Sequence, residues 1–264
     1  MKINNRVACI TLDLESDHAG RCQVRYDGWK EKYIRELFAC LKQHRVPLTA
    51  FVVANALMKN QHTINYMLRR GTEFYLHSYS HDRKNPDSAE EIHNGIREFQ
   101  NYFKKHPRGY RAPEGRISDN GYRILHQSGF RFDSSVFPSF WPHPKYLFSK
   151  RTIHKGPYGV TEIPVTTVTP ARIIFSLSWV QLIGWKIYRL LLDIFPLSGA
   201  VLFDFHLHDL YNLPAAESMS PFWRFIYRKR QTNGLHVLNQ ILSYLQKHGY
   251  VFVPISSLIS EGNV

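Results

Sequence analysis

The chain switches repeatedly between short continuous apolar runs and stretches in which apolar residues return every three or four positions. Residues 7–12 (VACITL) form the first run, and behind it, within 29–44, Tyr33, Ile34, Leu37, Phe38 and Leu41 fall on one helical face. Residues 48–54 (LTAFVVA) predict a second strand, 64–70 a short helix closed by Gly71, and 73–77 a third strand. Ser88 and Glu91 have capping-box spacing, and Ile92, Ile96, Phe99 and Phe103 mark the buried face of the helix that follows. An extended segment at 109–112, a helix near 119–127 and a strand at 130–133 continue the alternation. Strands at 162–167 and 201–206, a helix over 235–247 and a strand at 250–254 complete it, with the proline-bearing stretch 138–157 as a long loop. Strands alternating with helices imply a largely parallel sheet. The predicted fold is a (β/α) barrel, which carries its active site at the C-terminal ends of its strands.

Length and composition narrow the setting. At 264 residues, 44% apolar and 14% aromatic, residues 1–264 read as one globular domain. Cys9, Cys22 and Cys40 are odd in number and lack a CxxC pair, and the first residues run into a charged strand without a signal-type apolar region. A reduced, cytoplasmic compartment is the expectation. The formal charge of +13 favours an anionic partner: nucleic acid, anionic lipid or a phosphorylated substrate. No helix-turn-helix, finger or ribonucleoprotein motif is present, so nucleic acid is not expected.

Polar residues collect where the predicted strands end. Asp13, Glu15 and Asp17 follow the first strand, and strand alternation points all three to one face. Two carboxylates there can divide the labour of ligating a metal and taking a proton from water. His77 and His81 stand four apart in HSYSH, so a helical turn would aim both imidazoles at one ion. Arg111, before Ala-Pro, offers a permanently charged fork that can hold Asp13 ionised and aimed. In VLFDFHLHD (201–209) an apolar strand ends in His206 and His208, either able to protonate a leaving amine.

Taken in order, ITLDLESD, LTAFVVAN, EFYLHSYSHD, YRAPEG, GFRFDSSVFP and VLFDFHLHD resemble the motifs of the polysaccharide deacetylase family, carbohydrate esterase family 4, across most of the chain. The resemblance implies a distorted (β/α) barrel and a divalent metal, commonly zinc, used to remove N-acetyl groups from amino sugars. It makes Asp13 the catalytic base, Glu15, His77 and His81 the metal ligands, Arg111 the group that orients Asp13, and His206 the general acid. Asp133, in GFRFDSS, resembles the family's acid that tunes the final histidine. The usual pair of adjacent aspartates is Asp-Leu-Glu here, which leaves Asp17 as a rival ligand, and His208 competes with His206. Glu114 stands where many members carry an aromatic residue after Arg-x-Pro, a departure that bears on polymer contacts.

The segment 173–185 (IIFSLSWVQLIGW) is uncharged but shorter than the roughly 20 residues of a membrane span. Residues 221–230 (PFWRFIYRKR) interleave aromatics with Arg and Lys, the composition of an interfacial anchor. With the resemblance, these features suggest an amino-sugar substrate linked to a polyisoprenyl phosphate and peripheral contact with the inner membrane face. Soluble or polymeric N-acetylglucosamine compounds, or an inactive carbohydrate-binding scaffold, are the alternatives.

Overall fold

Alternation along one strand sets up the molecule. In Val7–Leu14 (β1), Ala8, Ile10, Leu12 and Leu14 join the larger core under the helices, while Cys9 joins a second core inside the curled sheet. Thr11 and Asp13 share the inward face with Cys9, so that face changes from apolar to charged toward the strand's C-terminal end. The computed structural model describes residues 6–15, 29–141, 143–197, 199–211, 220–221, 224–225 and 233–259.

Next in chain order come Leu48–Val52 (β2), Glu73–Leu76 (β3), Gly109–Tyr110 (β4), Phe132–Asp133 (β5), His154–Lys155 (β6) and Thr161–Glu162 (β7). Thr167–Val168 (β8) and Ile173–Ile174 (β9) form a separate antiparallel hairpin, and Ala200–His206 (β10) and Val251–Phe252 (β11) complete the strands. The main sheet runs β10-β1-β2-β3-β4-β5-β7-β6, parallel except for β6 on β7, and β11 adds to the first residues of β1. It curls into the barrel-like half-ring that the alternation predicts. Between β7 and β10 the ring is joined irregularly. Thr166 N donates to Leu202 O at 3.1 Å, Thr166 Oγ1 accepts from Leu202 N at 2.8 Å, and Ser176 bridges to Asp204.

Outside the sheet lie Glu31–Gln43 (α1), Gln61–Leu68 (α2), Ala89–Phe103 (α3) and Asp119–Gln127 (α4). Ser88 and Ser118 cap the last two, each side chain accepting the backbone N–H three residues on. The apolar stretch after residue 173 is no single helix. It forms β9, then Leu177–Ile183 (α5) and Trp185–Ile194 (α6), broken at Gly184 with φ 95°. None of the described helices is long and apolar enough to cross a membrane. Most of 221–230 falls outside the described residues. The long loop 138–157 is anchored by buried Tyr146, whose hydroxyl donates to Ile117 O at 2.9 Å.

Leu207–Leu210 (α7) follows β10 directly, and Gly234–Lys247 (α8) packs its first residue on that turn. A Cβ at Gly234 would lie 1.9 Å from the Asp209 carbonyl oxygen and 2.7 Å from Leu210 Cα. Backbone on both sides leaves nothing flexible to yield. Gly234→Ala is therefore expected to cost about 1–3 kcal/mol and to lower the melting temperature by roughly 2–10 °C. Thermal unfolding followed by circular dichroism checks this, and an unchanged midpoint would contradict the packing.

Candidate active site

At the C-terminal ends of β1, β3, β4 and β10 the inward residues converge on one fully buried guanidinium. Arg111 Nη1 donates to Asp13 Oδ1 and to Asp204 Oδ1, each at 2.7 Å, and to Thr11 Oγ1 at 3.1 Å. Its Nε donates to Ser134 O and its Nη2 to Ser134 Oγ, both at 3.0 Å, and the group lies over the Phe51 ring, 4.1 Å from its centre. The two carboxylates on this cation shift in opposite directions. Burial works to raise the Asp13 carboxyl, but Arg111, with His77 and His206, more than offsets it and holds Asp13 below the usual carboxylate range. Burial and the charge of Asp13 push Asp204 up to about 7.

Beside Asp13, ligand atoms of Glu15, His77 and His81 lie within 4.8 Å of one another, all three residues buried. His81 Nε2 stands 2.8 Å from Glu15 Oε2. His77 Nδ1 donates to the Arg111 carbonyl at 2.8 Å, which leaves its Nε2 lone pair facing Asp13 Oδ2 at 4.0 Å. Burial pushes the His77 imidazole down to about 3, so it is neutral. A lone pair and two carboxylates turned toward one another call for a cation. Glu15 Oε1, also buried, accepts no hydrogen bond among the described residues. One carboxylate and two imidazoles, with one ring fixed by a backbone carbonyl, suit a divalent ion.

The spacing of HSYSH predicts a helical turn, but the structure builds a bend. Ser78 and His81 take φ 62° and 64°, and this left-handed turn brings the two rings to a centroid distance of 5.1 Å. Glu91 holds that turn. Its N–H completes half of a capping box with Ser88, while its carboxylate accepts from Tyr79 N (3.1 Å), Ser80 N (2.9 Å) and Ser80 Oγ (2.6 Å).

On β10, His206 Nε2 lies 3.8 Å from Asp13 Oδ2 and 4.0 Å from Glu15 Oε1. Asp209 Oδ2 accepts from His206 N at 2.9 Å and stands 3.3 Å from His206 Nδ1. Burial disfavours the charged ring, yet the Asp209 bond and the charges of Glu15 and Asp204 raise His206 well above its ordinary value. Asp209 is itself fixed by Ser178 Oγ on α5 at 2.7 Å. His208 stacks on His206 at 4.7 Å with its Nδ1 3.6 Å from Glu15 Oε1. Side-chain exposure is 24% for His206 against 4% for His208, so His206 is the histidine of the two that meets both solvent and Asp13.

Of the residues singled out in the sequence, Asp13, Glu15, His77, His81, Arg111 and His206 gather here, while Asp17 lies outside the described residues. Asp133 corrects the expectation that it tunes His206. Phe132 and Ser134 point inward, so alternation turns Asp133 to the helix side, where it accepts from Ser135 and pairs in register with Glu162. Asp209 hydrogen-bonds His206 instead, with Asp204 close by. Both were readable. Asp204 stands two before His206 on one strand face, and Asp209 three after it at helix-start spacing.

A curled parallel sheet thus brings buried carboxylates and histidines together at the C-terminal ends of its strands. The family profile described as polysaccharide deacetylase matches residues 23–132. A peptidoglycan-N-acetylglucosamine deacetylase of Bacillus cereus is 23% identical over 131 residues, 48% of this chain and 55% of that protein, so the chain matches only about half the length of this curated relative. Among solved structures, a probable polysaccharide deacetylase from Pseudomonas aeruginosa PAO1 superposes with TM-score 0.61 at 16% identity, covering 99% of this chain and 93% of that one. The peptidoglycan deacetylase PdaC of Bacillus subtilis gives 0.53 at 16%, covering 98% and 92%. A CE4 family pseudoenzyme from Bacillus anthracis gives 0.57 at 14%, covering 99% and 68%. The match to the polysaccharide deacetylase model thus spans β2 to β5, and the solved deacetylases share the fold of the whole described chain.

Glu91→Ala strips the carboxylate from three donors that shape the turn between His77 and His81. Divalent-ion affinity is expected to fall about 10–100-fold with the fold retained, as removal of a group orienting metal ligands does. Calorimetric titration of Zn²⁺ into metal-free protein measures it, and wild-type affinity would deny Glu91 this role.

Proposed function

We propose that this chain is a metal-dependent hydrolase that removes an N-acetyl or similar N-acyl group from an amino sugar. The observation that carries the reading is Asp13, ionised on Arg111, with its second oxygen 3.8 Å from His206 Nε2 and 4.0 Å from His77 Nε2. Glu15, His77 and His81 would hold the ion, with zinc favoured by the donor set. A bound divalent ion supplies Lewis acidity toward an acyl carbonyl and a water molecule. Asp13 takes the proton of the attacking water on Oδ2, the oxygen left clear by Arg111. Arg111 keeps that carboxylate ionised and fixed in direction. His206, charged and held by Asp209, gives a proton from Nε2 to the departing amine.

For substrate we favour an N-acylated amino sugar linked to a polyisoprenyl phosphate, met from the cytoplasm at the inner membrane face. On α6, Ile187, Leu190 and Ile194 are each more than half exposed along one stripe, beside exposed Lys186 and Arg189. An apolar stripe flanked by cations suits an anionic bilayer surface. Near the site, Arg83 lies two residues beyond His81 and, with Arg116, ion-pairs Glu114 at 2.6 and 3.2 Å. This charged cluster replaces the aromatic contact expected of a polymer binder. The second reading, a polymeric N-acetylglucosamine substrate, draws on the name of the Bacillus cereus relative.

The test is mass spectrometry of products from undecaprenyl-phosphate N-acetylhexosamines and soluble chitooligosaccharides, with added Zn²⁺, for wild type and His77→Ala. Loss of acetyl from the lipid-linked compound alone, absent in the variant, is expected. Loss from oligosaccharides alone would discard the lipid, and silence on both would favour an inactive carbohydrate-binding scaffold. Asp13→Asn should lower turnover by about 10²–10⁴-fold while Zn²⁺ binding survives. Retained turnover would remove Asp13 as the base.

A further inference from the structure

Two buried acids stand outside this chemistry, between the sheet and α4. Asp133 and Glu162 face each other across the β5–β7 ladder, 0% and 1% exposed. Asp133 accepts from Ser135 N at 2.9 Å and Ser135 Oγ at 2.7 Å. Glu162 accepts from Tyr122 OH at 2.8 Å and Val136 N at 3.1 Å, and as register partners on neighbouring parallel strands the two acids lie side by side on the helix-facing side of the sheet. Two like charges buried side by side repel, so a proton held by one of the two relieves the pair.

The pair grips the Ser134 side of the Arg111 cradle and the residue that follows Arg111. Ser134, whose carbonyl and hydroxyl take two guanidinium N–H groups, sits between Asp133 and the tied residues Ser135 and Val136. Ser135 Oγ also accepts from Ala112 N at 2.7 Å, the residue next to Arg111. Ser134 Oγ in turn donates to the carbonyl of Ile163, next to Glu162. A shift of this unit therefore moves the guanidinium from two directions.

We propose that Asp133 and Glu162 share one proton and act as positioning residues that fix Arg111, and through it Asp13, by clamping segment 134–136. Other ionisable groups around the pair are Tyr122 from α4, Tyr110 from β4, Tyr146 from the long loop, and Arg111 acting on Asp133 through space. His154 stands opposite Glu162 on β6, and Lys155 bonds Thr161. Among the described residues no cation ion-pairs with either acid. Burial, then the charge of Asp133, pushes the Glu162 carboxyl well above its ordinary value. A carboxyl raised on folding contributes fully to stability below its unfolded pKa, and the contribution is lost as pH rises toward the folded value. Gln at 162 keeps an acceptor for Val136 N and turns a donor toward Asp133 and the Tyr122 hydroxyl oxygen, but does not titrate.

The test compares wild type, Glu162→Gln and Glu162→Ala of the full chain in thermal unfolding between pH 5 and 9. It adds kcat and KM on whichever compound of the panel above is turned over, since the catalytic part rests on the deacetylase reading. Glu162→Gln is expected to gain melting temperature relative to wild type as pH rises and to keep kcat within about threefold. Glu162→Ala should lose about tenfold or more in kcat at little-changed KM, the signature of a displaced catalytic group. A melting-temperature difference between Glu162→Gln and wild type that does not change with pH would overturn the shared proton. Wild-type kcat in Glu162→Ala would overturn the positioning role. If wild type is inert to the whole panel, the deacetylase reading fails instead, and the thermal comparison alone judges the proton.

Discussion

Everything at the centre depends on keeping one arginine charged without water. A guanidinium with no exposed surface is costly to bury unless its donors are met by carboxylates and carbonyls in good geometry. Arg111 meets them with Asp13, Asp204, Thr11 and Ser134, drawn from strands far apart in sequence. The same bonds that stabilise the cation aim the oxygen of Asp13 that faces His206. Fold stability and site geometry are thus one requirement here, and loss of either carboxylate would leave a buried charge partly uncompensated.

Parity along the strands explains what each acid does. Asp13, Asp204 and His206 occupy inward positions, and the apolar floor of Cys9, Phe51, Tyr75, Phe132 and Leu202 lies on the same face. Asp133 and Glu162 lie on the helix side of the same sheet and bond to backbone and tyrosine instead. Carboxylates one residue out of phase on neighbouring strands therefore enter separate environments, one around a cation and one around a shared proton.

Much of this was legible in the sequence. The hydrophobic runs located the long strands, and alternation after residue 12 put Asp13 and Glu15 on the inward face. The helix at 119–127 appears with the predicted bounds. Other features depend on information that periodicity lacks. The turn at His77–His81 needs positive φ at two non-glycine residues, held by Glu91 from the following helix. The role of Asp133 required the inward or outward phase of a two-residue strand, and no pattern fixes phase over so short a run. The break between α5 and α6 falls at Gly184, whose φ of 95° is one that side chains avoid, and the reading of 173–185 as one uncharged run did not place it.

The irregular seam between β7 and β10 has a mechanical consequence. Opening in a folded protein concentrates where backbone pairing is sparse, and this junction has a few bonds where β1 and β10 share a seven-residue ladder. Asp13 and His206 are the last register partners of that ladder. If the ring widens at its seam, these two residues travel together as one rigid edge. The barrel can thus change the width of its mouth while the spacing between Asp13 and His206 is preserved.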